Sequence, residues 1–163
     1  MQRPQPRPGT RSGGRLAPRP LPRSLSGWTI AVFGLCAAAL GALGLLTPDA
    51  LLTVMGFEPL PATRRADGDH TPVFLTASSM AAVNMGVYYL LAAATDWKPF
   101  FRWTVPFRLL TCAVFSLAVL TGRAPSGFLG VGLWEGLGAV VTWAALRYER
   151  PGASAARERA EDR

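Results

Sequence analysis

GWTIAVFGLCAAALGALGLL, residues 27–46, runs for 20 positions without a charged side chain. A helix of about 20 apolar residues crosses the roughly 30 Å of hydrocarbon in a bilayer, so this stretch has the length and composition of a transmembrane span. An amphipathic surface helix would place polar residues every third or fourth position, and no such stripe interrupts it. The competing reading is a soluble all-α bundle with unusually apolar helices, and the other runs argue against it. Residues 73–95 carry no charge in 23 positions, residues 100–120 carry only Arg102 and Arg108, and residues 128–146 carry Glu135 alone in 19. Inside lipid each segment must satisfy its own backbone polar groups, so helices follow from the solvent rather than from propensity. The predicted fold is all-α: a polytopic membrane protein built as a four-transmembrane-helix bundle.

The rest of the chain is organised around those spans. Half of its 163 residues are hydrophobic and 17% are charged, against about 25% charged in an ordinary soluble domain. The charges crowd into the ends and the connectors. Residues 1–26 hold six Pro, six Arg and no acid, a composition that cannot bury enough apolar surface to fold, and they read as a disordered tail. Residues 27–146 form the transmembrane domain and residues 147–163 a charged tail. The stretch before the first apolar run is long and the run itself reaches about 20 residues without a clear stop, so it reads as a retained helix rather than a signal peptide. Thr47, Pro48 and Asp49 place a capping hydroxyl before a helix-starting proline, and ALLTVM (50–55) reads as a short interfacial helix closed by Gly56. His70, Thr71 and Pro72 repeat the device before the second span, and Asp96 is placed to cap the third.

Orientation follows from Lys and Arg. With both termini cytoplasmic, that side holds 13 such residues and the other side only Arg64, Arg65 and Arg123, which the positive-inside rule favours. The expected location is the cell membrane, multi-pass, with both termini cytoplasmic. The net charge of +7 is thus topological, and nucleic acid is not an expected partner. The lipid bilayer is, together with a membrane-protein partner or a second copy, and a lipophilic small molecule. Cys36 and Cys112 lie within spans and form no C-x-x-C pair, so they read as packing residues. Asp67, Asp69 and His70 share a loop without a second ligand cluster, so no metal is expected, and no cofactor signature is present.

Glu135 is the residue that needs explaining. It stands about 10 Å from one end of its span and about 16 Å from the other at 1.5 Å per residue, where an ionised side chain costs roughly 2.5–3.5 kcal/mol. It must be neutral, paired or facing water. Arg108 on the third span and Asn84 near the centre of the second stand at overlapping depths, so a compact bundle could gather all three into one buried polar cluster. Pro106, two residues before Arg108, removes a helix hydrogen bond and is expected to bend the third helix there. Gly132 and Gly136 flank Glu135 in a G-x-x-x-G spacing that lets a neighbouring backbone approach closely. The cluster is either architectural, fixing helix register, or a binding or proton-handling site.

The runs GLCAAALGALGLLTPDALLTVMGFEP (34–59), YYLLAAA (88–94), PFRLL (106–110) and WEGLGAVVTWAAL (134–146) together resemble small four-helix bacterial membrane proteins of the DoxX-like kind and related domains of unknown function. That resemblance implies a proline just after the first helix, an arginine in the third and an acid in the fourth, places held here by Pro48, Arg108 and Glu135. Some such proteins are linked to quinone-dependent oxidation or respiratory complexes, but no redox ligand in this chain supports carrying that activity over.

Three functions stay open. The first is a non-enzymatic integral membrane protein, such as an accessory subunit. The second is a small membrane enzyme acting on a lipophilic substrate, with Glu135 as acid or base and Arg108 as its electrostatic partner. The third is a proton-coupled small transporter. Topology is testable directly: reporter fusions after Trp97 and Ser154 should give cytoplasmic signals and one at Gly68 an external signal. An external signal at Ser154 would overturn the four-span topology.

Overall fold

The computed structural model describes residues 21–60 and 68–161; the arginine-rich tail up to residue 20, and Arg64, Arg65 and Asp67, lie outside them. The described residues are helical with no strand: α1 (Leu25–Leu46), α2 (Pro48–Val54), α3 (Thr71–Ala94), α4 (Lys98–Leu120), a 3-10 turn (Ser126–Phe128) and α5 (Leu129–Glu161). Four of these helices are long and apolar enough to cross a membrane, and the short α2 follows the first. Many of the large apolar side chains point outward from the bundle; Leu35, Phe74, Phe107 and Leu137 are all more than 60% exposed. That inside-out arrangement would be costly in water and is what a hydrocarbon solvent asks for. α5 continues beyond the apolar run that ends at Leu146, through Pro151 and Gly152 to Glu161.

The bundle is two helix pairs joined through α1. α3 packs against α1, α4 packs against α5, and α1 meets α5. Small residues make the first pairing possible. A Cβ on Gly86 would stand 2.6 Å from the backbone nitrogen of Ala38 and the carbonyl oxygen of Gly34, and one on Gly41 would stand 2.6 Å from the carbonyl oxygen of Ser79. The two backbones are therefore in direct contact, as expected where dispersion rather than water exclusion drives helix association. A buried core of Ile30, Phe33, Tyr89 and Phe101 fills the half of the bundle nearer the termini.

Helix ends are secured differently from the sequence expectation. Thr47 is the N-cap residue of α2 ahead of Pro48, but its hydroxyl makes no capping bond and donates back to the carbonyl of Leu43 at 3.1 Å. The cap of α3 comes from Asp69, whose carboxylate accepts from the Thr71 N–H at 3.0 Å and from its hydroxyl at 2.6 Å, because a carboxylate one residue further out reaches the first-turn donors that the proline leaves in place. Asp96 does not cap α4, whose N-cap is Trp97. It adopts a left-handed φ of 51° and accepts from the Ser24 hydroxyl. At the other end of the bundle Gly56, with φ +80°, lies so close to Gly127 that a Cβ would stand 2.9 Å from its Cα.

The α1–α3 seam makes a quantitative prediction. Gly86→Ala should lower stability in detergent by about 1–3 kcal/mol, the cost of overpacking against backbone that cannot retreat. Gly130→Ala, where a Cβ meets nothing within 4 Å, should stay within about 1 kcal/mol of the parent. Thermal unfolding followed by circular dichroism distinguishes the two.

Candidate functional site

α4 carries Arg108 about 15 Å from Lys98 and about 18 Å from Leu120 along the helix, at 1.5 Å per residue, so it belongs to the middle of the span. It is 3% exposed. Its Nε–H donates to Glu135 Oε2 at 3.1 Å, across the α4–α5 contact. Its guanidinium carbon lies 3.5 Å from the centroid of the Phe33 ring on α1, a cation–π contact in a desolvated setting. Three helices thus meet at one cation, and the absence of a side chain on Gly138 gives it room: a Cβ there would collide with the guanidinium.

Of the residues singled out from sequence, the structure brings Arg108 and Glu135 together and leaves Asn84 elsewhere. Asn84 is exposed on α3, almost opposite Gly86 around the helix, and Gly86 faces α1. The reason is helix adjacency, since α3 packs against α1 rather than against α4 or α5. The aromatic neighbours Phe33, Tyr89 and Trp134 occupy the place expected for the amide; the Phe33 ring lies 5.4 Å from that of Tyr89 and stacks at 5.8 Å on that of Trp134. Gly132 and Gly136 both face α4, where added Cβ atoms would stand 3.3 Å from the Phe115 Cβ and 2.8 Å from the Cys112 sulfur. Pro106 sits inside α4, which continues through it as one helix.

The guanidinium is incompletely used. Among the described residues neither terminal nitrogen of Arg108, Nη1 or Nη2, has a hydrogen-bond partner, although both are buried. Arg108 also lines a cavity of about 320 Å³ between α1 and α5, whose walls are otherwise almost wholly apolar and include Trp28, Phe33, Trp134 and Val141. Trp28, Val141 and Leu137 at its rim are 48%, 46% and 62% exposed, so the cavity opens sideways from the bundle, toward the lipid in a membrane. Arg108 thus stands in the wall of a greasy cleft, with its terminal nitrogens themselves buried.

A second polar layer, at the end of the bundle that carries α1's start, was missed in the sequence reading. Lys98 donates to Glu149 Oε2 at 2.6 Å and to the Ser26 hydroxyl at 2.8 Å, and its nitrogen lies 3.3 Å from Asp96. The Ser26 N–H and hydroxyl donate to the two oxygens of Glu149 at 2.8 and 2.9 Å. These residues span 123 positions of sequence, and the one signal available was that each stands beside the end of an apolar run. The layer ties α1, α4 and α5 together as a clamp. No group of three or more His, Cys, Asp or Glu among the described residues could hold a metal ion.

The fold and this centre define a multi-pass helical bundle of membrane-spanning character. The chain matches no family model, no curated protein and no solved structure.

The pair is testable by a double-mutant cycle. Arg108→Leu and Glu135→Leu should each destabilise the detergent-solubilised bundle by about 3–5 kcal/mol, since either leaves an uncompensated buried charge, and the double substitution should recover a large part of the loss. Strictly additive losses in thermal unfolding would count against direct pairing.

Proposed function

We propose that this chain is a non-enzymatic multi-pass protein of the cell membrane that holds a lipophilic molecule within its bundle, bound through a hydrogen-bond-accepting oxygen at Arg108. The observation that carries this reading is the pair of buried terminal nitrogens on Arg108, without partners among the described residues, beside a cavity of about 320 Å³. Leaving buried donors unsatisfied costs roughly 1–3 kcal/mol each, more when charged. A ligand oxygen would remove that cost, while the apolar walls would take its hydrocarbon body. The lateral opening supports a ligand arriving from the bilayer rather than from water.

Glu135 fits this reading as a positioning residue. It takes the Nε–H, so it sets the plane of the guanidinium and leaves the terminal edge for something else. Catalysis or proton coupling would instead put Glu135 itself at the point of contact, and the cavity is lined by Arg108, not by Glu135. Membership among the DoxX-like proteins, and a role as an accessory subunit in which the bound molecule is shared with a partner, belong to the same proposal and rest on the resemblance of the motifs around Pro48, Arg108 and Glu135.

The test is mass spectrometry of the protein purified from its own membranes in mild detergent. A stoichiometric lipophilic adduct is expected with the parent chain. Val141→Phe, which narrows the rim without touching the ion pair, should lower its occupancy several-fold, and the double variant Arg108→Leu/Glu135→Leu, which removes both charges together, should abolish it while retaining helical circular dichroism. Undiminished adduct in the folded double variant would sink the reading.

A further inference from the structure

α3 is an edge helix, and its two faces differ in what they touch. The face toward α1 buries Ser79, Gly86, Tyr89, Ala92 and Ala93. The opposite face carries Ala77, Ala81, Asn84, Tyr88 and Leu91, all exposed. Their spacing of four, three, four and three residues keeps them on one stripe along the helix, the heptad spacing of a left-handed helix pair. Asn84 sits in the middle of that stripe, about 20 Å from the start of α3 and about 15 Å from its end at 1.5 Å per residue. Among the described residues its amide makes no hydrogen bond.

An exposed amide would be unremarked on a soluble protein. On a membrane-spanning helix it is held at the depth of the acyl chains, where lipid offers neither donor nor acceptor and where intramembrane polar residues are consequently found facing protein. Something other than lipid has to cover it. The amide is self-complementary, with a carbonyl that accepts and an NH2 that donates, so two Asn84 side chains can close two reciprocal hydrogen bonds. Every copy of one chain inserted with one orientation presents this amide at the same depth. A two-fold axis normal to the bilayer therefore brings Asn84 opposite Asn84 with no further coincidence, whereas an unrelated partner would have to supply a complementary polar group at that level. The small side chains of Ala77 and Ala81 let two backbones approach on one side of the amide, and Tyr88 and Leu91 supply contact area on the other.

We propose that the outer face of α3 docks a second copy of this chain, forming a parallel two-fold dimer whose centre is the Asn84 pair. The dimer is independent of the ligand proposed above, since the cavity lies between α1 and α5.

Two measurements on the full chain test it. In the first, Cys36 and Cys112 are replaced by Ala, single cysteines are introduced in native membranes, and a mild oxidant is added. Ala81→Cys and Tyr88→Cys should give disulfide-linked dimers, and Met85→Cys, also exposed but about 100° around the helix from Asn84, should give few. In the second, donor- and acceptor-labelled protein is diluted in phosphatidylcholine vesicles and energy transfer followed. Asn84→Leu should raise the dissociation constant roughly 5- to 30-fold, the worth of interhelical amide hydrogen bonds in model systems, while Asn84→Gln should restore part of the affinity. Asn84 is exposed and makes no hydrogen bond among the described residues, so circular dichroism and thermal unfolding should be unchanged in both variants. A chain that stays monomeric at all densities, a dimer that Asn84→Leu leaves undiminished, or cross-linking strongest at Met85→Cys would each overturn the proposal, as would an Asn84-dependent complex that contains one copy of this chain with a different protein.

Discussion

A guanidinium in the middle of a membrane-spanning helix is the most demanding group in this molecule, and the arrangement of three helices follows from accommodating it. Insertion of an arginine at mid-bilayer depth costs roughly 2.5–3.5 kcal/mol even by the more lenient scales. Arg108 meets that cost in three ways at once: the Glu135 carboxylate at 3.1 Å, the face of Phe33 at 3.5 Å, and the space left by the missing side chain of Gly138. Each contribution comes from a helix other than α4, so the three helices cannot slide or rotate independently without exposing the charge to hydrocarbon. Burying an ion pair adds little net stability compared with apolar residues of the same volume, but separating its members is expensive. The pair therefore acts on register more than on stability.

Elsewhere the bundle uses other means. α3 is held to α1 by backbone contact at Gly34, Gly41 and Gly86, an interaction that relies on shape and is weakened by a single added methyl group. At the end where Ser26, Lys98 and Glu149 meet, long side chains and short hydrogen bonds do the joining, and partial exposure of Lys98 and Glu149, 30% and 24%, keeps their desolvation modest. The division follows the solvent. Where water reaches the helices, charges can be shared cheaply. In the middle the chain uses small residues where it can and one enclosed ion pair where it does not.

This division explains what could be read from the sequence. The four long helices and the short one after the first were legible because hydrocarbon thickness and the exclusion of charge leave a coarse one-dimensional signal, visible in residues 27–46 without knowledge of any contact. That Glu135 needs a partner was legible for the same reason, and Arg108 was the one cation at a matching depth. Asn84 met the same depth criterion and still stands apart, because depth says nothing about azimuth or about which helices are neighbours. Helix adjacency is decided by close fits such as that of Gly86 against Ala38, and a sequence reports those only as a scatter of glycines. The Ser26–Lys98–Glu149 clamp was missed for a related reason: its members are ordinary polar residues at span ends, and only the folded bundle brings the three ends together. Capping failed at the finest scale, where the Asp69 carboxylate rather than the Thr71 hydroxyl serves α3, since two polar side chains two positions apart both offer an oxygen and only the folded turn decides which one meets the N–H.

The geometry of the central pair bears on whether it is architecture alone. A carboxylate that only has to neutralise an arginine gains most by meeting the guanidinium fork to fork, with two parallel N–H···O bonds. Glu135 meets Arg108 from the side, through Nε, and both terminal nitrogens remain without partners among the described residues. A side-on contact gives up the stronger pairing and fixes the orientation of the donor edge instead. Phe33 beneath the plane and Gly138 at the edge add to that fixing. An arrangement that fixes a cation while leaving its directional donors without partners among the described residues is what the proposed binding of a ligand oxygen rests on, whereas register alone would be served as well by the fork-to-fork pairing.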